Sequence, residues 1–510
     1  MEEIISILNN IIWSPALIYL CLGAGLFFSI YTRFAQVRHF FEMWRLLFTN
    51  QSNEQGISSF QALAVALSGR VGMGNIAGVA AAIGFGGPGA VFWMWVVAFL
   101  GASTAYVEST LAQIYKQVDP VTGQYRGGPA YYFERAIGGW GWKLYGIIFA
   151  LASIISCGLF LPGVQANGVV KAVTNMIGEG TMVSTGPFGE VGTHTLVVLA
   201  GILLILGFII FGGIKRIANF AQLVVPFMAL GYIILALIIV FINYDQVPAV
   251  FGLIIGDAFT AQAGFGAAIG WGVKRGVYSN EAGQGTGPHA AAAAEVAHPA
   301  QQGLVQAFSV YVDTLFVCSA TAFMILMTGK YNIQGTLPDG QFLVQHLDAA
   351  VNINSPAFTQ AALTSVFGPT GEIFVGIAVF FFAFTTLLAY YYIAEVNVAY
   401  LAEKIGGESA ALFVIKVVLM MAVAYGAVNS SGYIWNIGDI GVGLMAWLNI
   451  IGIIVLFVLL AKPTIKCLRD YEEQMKAGVR HNFTFDPVKL GIPNATFWEK
   501  RLEQQRNNKR

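Results

Sequence analysis

The sequence predicts an all-α polytopic membrane protein of about eleven transmembrane helices. Ten of them would form a five-plus-five inverted repeat, with one extra N-terminal span, and two would be discontinuous. Three observations predict this. Only 11% of the 510 residues are charged while 56% are hydrophobic, and the mean hydropathy is +0.68. Soluble proteins carry about 25% charged residues, so most of this surface must face lipid. Apolar runs near the roughly 20 residues needed to cross the hydrocarbon core recur along the chain. Two of these runs are interrupted in mid-span by glycine and polar side chains.

The expected spans are 12–34, 59–84, 88–115, 143–171, 194–213, 217–243, 260–295, 302–329, 369–402, 409–428 and 433–461. The start, Met1-Glu2-Glu3, is acidic where a secretory leader is basic, and no small-residue cleavage site follows; the first run reads as a true span. The seventh is the least regular, being rich in Gly and Ala and carrying Lys274 and Arg275. Residues 1–461 read as one transmembrane domain, with repeat A at 59–243 and repeat B at 260–461; 462–510 read as a cytoplasmic tail.

Loop charge sets the expected orientation. Loops on the side of the C-terminus hold Arg33, Arg38, Arg45, Lys116, Arg126, Arg135, Lys143, Lys215, Arg216 and Lys404, against Lys171 and Lys330 opposite. This bias puts the C-terminus in the cytoplasm, and an odd span count puts the N-terminus outside, in a multi-pass protein of the cell (inner) membrane. Lys+Arg 27 balance Asp+Glu 27, which argues against a nucleic-acid partner. Cys21, Cys157, Cys318 and Cys467 are scattered without metal-ligand spacing, so neither a disulfide scaffold nor a zinc site is expected. Segment 34–58 and the tail are the long polar stretches of the inner side and read as solvated connectors or surface helices. Segment 330–368 reads as an outer loop folding over the mouth.

Span two contains Ser68-Gly69-Arg70-Val71-Gly72-Met73-Gly74-Asn75-Ile76-Ala77-Gly78, and span seven contains Ser279-Asn280-Glu281-Ala282-Gly283-Gln284-Gly285-Thr286-Gly287-Pro288. Unpaired backbone is excluded from lipid, so such breaks must be buried in protein or line a cavity. They lie five spans apart, and an odd offset means the two helices cross in opposite directions. Paired interruptions in two inverted halves point to a transporter site at mid-depth. The half-helix N-termini offer N–H donors to a carboxylate, and the freed carbonyls can hold a cation.

The stretch Gly86-Gly87-Pro88-Gly89-Ala90-Val91-Phe92-Trp93-Met94-Trp95-Val96-Val97-Ala98-Phe99-Leu100-Gly101 resembles the signature of the alanine/glycine:cation symporter family. Both breaks, Asp313-Thr314 and Ala383-Phe384-Thr385-Thr386 resemble it too, and the likeness spans nearly the whole chain except the tail. The resemblance implies sodium-coupled symport of a small neutral amino acid such as alanine or glycine. It implies the fold of the bacterial leucine transporter, with Na⁺ as coupling ion and no organic cofactor. By the same resemblance, Met73 and Gly74 would give backbone N–H groups to the substrate carboxylate. Carbonyls of Ser68 and Val71 with the hydroxyls of Thr385 and Thr386 would hold Na⁺, a hard ion suited to oxygen ligands. Asn75 is the candidate for a second Na⁺. Asn280, Gly283 and Gln165 would line the substrate pocket. So would Tyr390, which replaces a frequent Trp and implies a pocket of different shape. Glutamine-like substrates and proton coupling are the alternatives within transport.

Among the charged residues, Arg70 needs a partner or a wet cavity, and Glu281 and Asp439 are the expected partners. Glu108 and Glu395 are expected to pair with loop arginines such as Arg126 or Arg135. Lys274 and Arg275 read equally as a gate or as vestibule charges. Asp313 is a candidate for the ion path, His289 and His298 are weaker candidates for a proton path, and Trp93 and Trp95 read as packing residues. An intramembrane enzyme would need a catalytic constellation; HExxH and GxSxG are absent, and Gly438-Asp439-Ile440-Gly441 is a weak echo of GxGD. A channel would need a filter loop repeated by symmetry.

Overall fold

The computed structural model describes residues 2–48, 53, 55–186, 189–260, 265–335, 337–338 and 341–507. The chain opens with α1 (Glu2–Tyr31) and α2 (Phe40–Leu47). The first broken helix follows as α3 (Ser59–Arg70) and α4 (Gly74–Gly86), bent by 53°. A capping box between Ser58 and Gln61 starts α3. Next come α5 (Gly89–Ile114), α6 (Pro129–Ile137), α7 (Trp140–Ile177), α8 (Thr193–Ile210), α9 (Gly213–Ile242) and α10 (Val247–Thr260). The second broken helix is α11 (Phe265–Asn280) and α12 (Gly287–Ala293). Then come α13 (Pro299–Thr328), α14 (Ala357–Phe367), α15 (Pro369–Ile405), α16 (Glu408–Val428) and α17 (Ser431–Leu459). The chain ends with α18 (Pro463–Lys476) and α19 (Thr496–Asn507).

Among the described residues, nine helices are long and apolar enough to cross a membrane, or ten with the bent pair counted. The expected seventh span separates into helices of 16 and 7 residues. Its expected start runs into residues 261–264, outside the described residues. Helix α10 was not expected: at 14 residues it is too short to read as a span.

The broken helices sit in the middle. Helix α5 packs on α11 and α13, α3 packs on α9 and α15, and α7 packs on α15 and α16. Helices α5, α13 and α15 are mostly buried, while α8 and α9 expose Leu204, Phe208, Leu223 and Phe227, the side chains a lipid-facing helix would show. Among the described residues three central helices carry π-turns, Gly74–Gly78 in α4, Ser156–Phe160 in α7 and Tyr311–Cys318 in α13. Such bulges re-aim side chains and are frequent at functional sites.

Both polar segments carry helices, as the surface-helix reading expects, and these pack on the body. Trp498 of α19 is 2% exposed and donates its indole N–H to Gln113 O at 2.8 Å. Arg501 pairs with Glu295 at 2.5 Å, and His298 with Asp470 at 3.1 Å. Tyr471 donates to Glu42 of α2 at 2.5 Å. The tail thus packs against the segment that leaves α12. On the other side, Gln334 N–H donates to Gly84 O at 2.8 Å, so part of the 330–368 loop seals the end of α4.

Candidate functional site

The first helix stops because Val71 leaves helical geometry and the Gly72 N–H turns to Asn75 Oδ1 at 2.8 Å. A side chain at 72 has no room: its Cβ would lie 2.4 Å from Thr386 Oγ1 and 2.9 Å from Gln165 Oε1. That close approach brings α15 and α7 onto the break. Thr386 Oγ1 sits 3.4 Å from Val71 O and donates to Phe382 O at 2.9 Å. Ser68 is 1% exposed and its hydroxyl donates to Val65 O at 2.7 Å. Thr385 turns toward Met228 Sδ at 3.8 Å and donates to Phe381 O at 2.9 Å. The structure therefore places Val71 and Thr386 together, and Thr385 on the α9 side.

Of the residues expected at the substrate, Met73 N–H donates to Gln165 Oε1 at 3.0 Å. The Met73 side chain lies on Gly168, where a Cβ would be 2.1 Å from its sulfur. Gly74 abuts Ser279, with 3.0 Å from its would-be Cβ to Ser279 Cα, so the two breaks touch. Tyr390 is 2% exposed and has Gln165, Tyr278 and Glu281 as neighbours.

The second break turns through left-handed backbone at Glu281 (φ 58), Gly283 (φ 86) and Gly285 (φ 81). Asn280 folds onto its own turn: its Oδ1 accepts the Ala282 N–H at 3.0 Å, and its Nδ2 reaches Thr314 Oγ1 at 3.3 Å. Glu108 accepts the Gly283 N–H at 3.3 Å and the Gly285 N–H at 3.2 Å. Asn449 donates to the same carboxylate at 2.7 Å and to Gly283 O at 2.9 Å. This corrects the expected pairing of Glu108 with loop arginines. Glu395 does lie 3.8 Å from Arg126, which also binds Asp119 and Glu408.

Asp313, on the π-turn of α13, joins the two breaks. Its Oδ1 accepts from Asn75 at 2.6 Å and from Ser279 at 3.0 Å, and its Oδ2 from Thr314 at 2.7 Å. Neither the link to Asn75 nor that to Ser279 is visible in the sequence.

Arg70 does not pair as expected. It is 1% exposed and donates to Gln306 O at 3.2 Å and to Ser309 Oγ. Among the described residues, its Nε and Nη2 have no hydrogen-bond partner. Its electrostatic neighbours are Glu281, Glu108 and Asp313, none in ion-pair contact. Asp439 instead receives Arg275 at 2.9 and 2.8 Å and Lys274 at 2.8 Å. The Arg275 guanidinium also lies 4.5 Å from the Trp435 ring centre, and Tyr278 meets Trp435 at 4.8 Å. His289 is held by Thr286 O and Asn397, and His298 caps α13.

A family model described as the sodium:alanine symporter family matches residues 1–485. The chain belongs to this family. A sodium/proton-dependent alanine carrier protein by name, from Bacillus subtilis, is 55% identical over 98% of both chains. The sodium/proton-dependent alanine carrier protein of Bacillus sp. (strain PS3) is 47% identical over 91% of this chain and 99% of its own. Among solved structures, MhsT in complex with L-phenylalanine is similar at a TM-score of 0.56 and 15% identity, covering 88% of this chain and 97% of that one. That likeness concerns the fold. This member of the sodium:alanine symporter family is a multi-pass, all-α membrane protein, and its two breaks meet in its centre.

Proposed function

We propose that the protein is a sodium-coupled symporter of a small neutral amino acid such as alanine or glycine, working by alternating access in the cell membrane. The observation that carries this reading is the charge balance at the breaks. Glu108, Glu281 and Asp313 are buried around one guanidinium, Arg70, that pairs with none of them. Their hydrogen-bond donors are neutral amides and hydroxyls, and buried carboxylates without a cation in ion-pair contact are costly, so the site calls for further positive charge. A small hard cation and the amino group of a zwitterion supply it. The relatives named as alanine carriers support the same substrate class.

In this reading the substrate carboxylate takes the N–H groups of Met73 and Gly74 at the start of α4, where the helix dipole favours an anion. Gln165 gives up its bond to Met73 as the substrate enters. Sodium sits between the Ser68 and Val71 carbonyls and the hydroxyls of Thr385 and Thr386. Repeat A (59–243) and repeat B (260–461) rock about the site as inverted halves. The N-terminus lies outside and the C-terminus in the cytoplasm. A second reading, proton coupling through Asp313, is favoured by the sodium/proton-dependent names of two relatives. Proteoliposomes loaded against a panel of labelled amino acids, with and without a sodium gradient, test both. Uptake that needs Na⁺ and favours alanine or glycine supports the first. Full uptake without Na⁺ at acidic pH supports the second and removes the sodium site.

A further inference from the structure

On the tail side of the bundle a cavity of about 1170 Å³ lies between α19 and the loops around α6. No residue of either break lines it, and the proposed transport reaction does not use it. Five cations line it: Lys116, Arg135, Lys143, Lys500 and Arg501. Two carboxylates share the wall, and both are already engaged. Glu134 holds Lys404 at 2.5 Å, and Glu295 holds Arg501 at 2.5 Å and the Tyr125 hydroxyl at 2.7 Å. Among the described residues, Lys116, Arg135, Lys143 and Lys500 form no ion pair with a carboxylate.

The floor is built rather than incidental. Lys116 is 1% exposed, with its ammonium 4.1 Å from the Tyr125 ring centre and 4.8 Å from that of Phe497, and it donates to Ala294 O at 2.8 Å. Burial pushes its ammonium down to about 7, so an anion in the cavity would favour its charged form. The wall from α19 is one helix face, with Phe497, Lys500, Arg501 and Gln504 turned inward. At the rim, Trp140 is 78% exposed. It is the first residue of α7, and the end of a membrane-spanning helix is the level at which Trp side chains and phospholipid head groups both reside.

We propose that this cavity is a binding site for a phosphate-bearing anion, filled by the head group of an anionic glycerophospholipid. Basic pockets at the end of a transmembrane bundle suit such head groups. The volume far exceeds one inorganic phosphate and leaves ample room for a head group with its glycerol. The occupant would bridge α19 to α6 and α7, and so fasten the tail to the body.

The test uses the full chain purified in neutral detergent and exchanged into nanodiscs. Native mass spectrometry reads retained phosphatidylglycerol, and thermal unfolding reads its effect. The wild type should retain phosphatidylglycerol at least fivefold over phosphatidylcholine and unfold several degrees higher with it. Lys143→Gln with Lys500→Gln should abolish this preference, since both side chains are exposed and can be changed without disturbing the fold. Lys476→Gln with Arg480→Gln, on the tail but away from the cavity, should leave it intact. Equal retention of both lipids, or unchanged retention in the first pair, overturns the proposal. An equal rise in unfolding temperature with millimolar inorganic phosphate, at no lipid preference, would overturn the lipid as its source.

Discussion

The Gln165 side-chain carbonyl holds the backbone N–H of Met73 at 3.0 Å, across two helices 92 positions apart. An amide oxygen thus occupies the donor at which an incoming carboxylate would arrive.

Gln165→Leu should leave that donor free while removing the polar group beside the substrate. The loss of one polar contact is worth about 1–3 kcal/mol, so KM should rise by roughly fivefold to a hundredfold. Gln165→Glu should be worse, because its charge would repel the substrate carboxylate. Uptake kinetics at saturating Na⁺ measure both; an unchanged KM in both variants would place Gln165 off the substrate path.

Gly72→Ala should both destabilise and inactivate, since the new methyl would meet Thr386 Oγ1 at 2.4 Å. Overpacking of this kind costs about 1–3 kcal/mol. Combining it with Thr386→Ala should recover part of the unfolding temperature, since Gln165 Oε1 at 2.9 Å still crowds the methyl, but not sodium affinity. Thr386→Ala alone should raise the Na⁺ concentration for half-maximal uptake, with Thr386→Ser close to wild type. If sodium dependence survives in Thr386→Ala, this hydroxyl is not a ligand.

Asp313→Asn keeps an oxygen for Asn75 and Ser279 but removes the charge. Sodium titrations at pH 6 and pH 8 separate two outcomes. A higher sodium requirement at both values fits a cation held near Asp313. Loss of a pH effect with sodium affinity kept fits a proton there instead.

Asp439→Asn should cost more than Arg275→Ala. The first leaves both Lys274 and Arg275 without their carboxylate, whereas the second leaves Asp439 bound to Lys274 at 2.8 Å. Removing one side of a buried pair costs about 3–5 kcal/mol. Thermal unfolding in detergent ranks the two, and a milder effect for Asp439→Asn would contradict the ordering.

The contact between α18 and the 34–48 segment should weaken in acid. Burial would raise the Glu472 carboxyl, but hydrogen bonds from His39 and Arg38 outweigh it and hold the group at about 2. A depressed carboxyl stabilises the folded contact above its ordinary value near 4.5 and loses that contribution as pH falls toward 2. Protease sensitivity of the tail should therefore stay constant from pH 8 to 5 and increase below. Glu472→Gln should remove this step.

Much of the fold could be read from the chain because lipid imposes one rule on every span. Apolar length pointed to most of the helices, and glycine with polar groups inside such runs located both breaks to within Ser68–Gly78 and Ser279–Pro288; the structure narrows them to Val71–Gly72 and Glu281–Gly285, with Ser279 and Asn280 still helical. The tertiary partners were not legible. Glu108 sits near one end of a helix, which suggested loop arginines, but its acceptors meet N–H groups more than 170 positions away. Arg70 and Asp439 attracted each other on paper, whereas Lys274 and Arg275 on α11 reach Asp439 first. Asn280 carried a signal that could have been used: asparagine commonly bonds the backbone two residues on, and here it does so to Ala282. Helix α10 escaped because a helix of 14 residues is too short to suggest a crossing.

Glu108 has a consequence for selectivity. With its carboxylate seated on Gly283 and Gly285, the second nest of amides already houses a resident negative group. A cargo molecule then finds a welcome for one acidic terminus only. Under the proposed function, aspartate or glutamate would bring its extra charge toward a wall that repels it, so dicarboxylic solutes should be turned away by a side chain that never has to touch them.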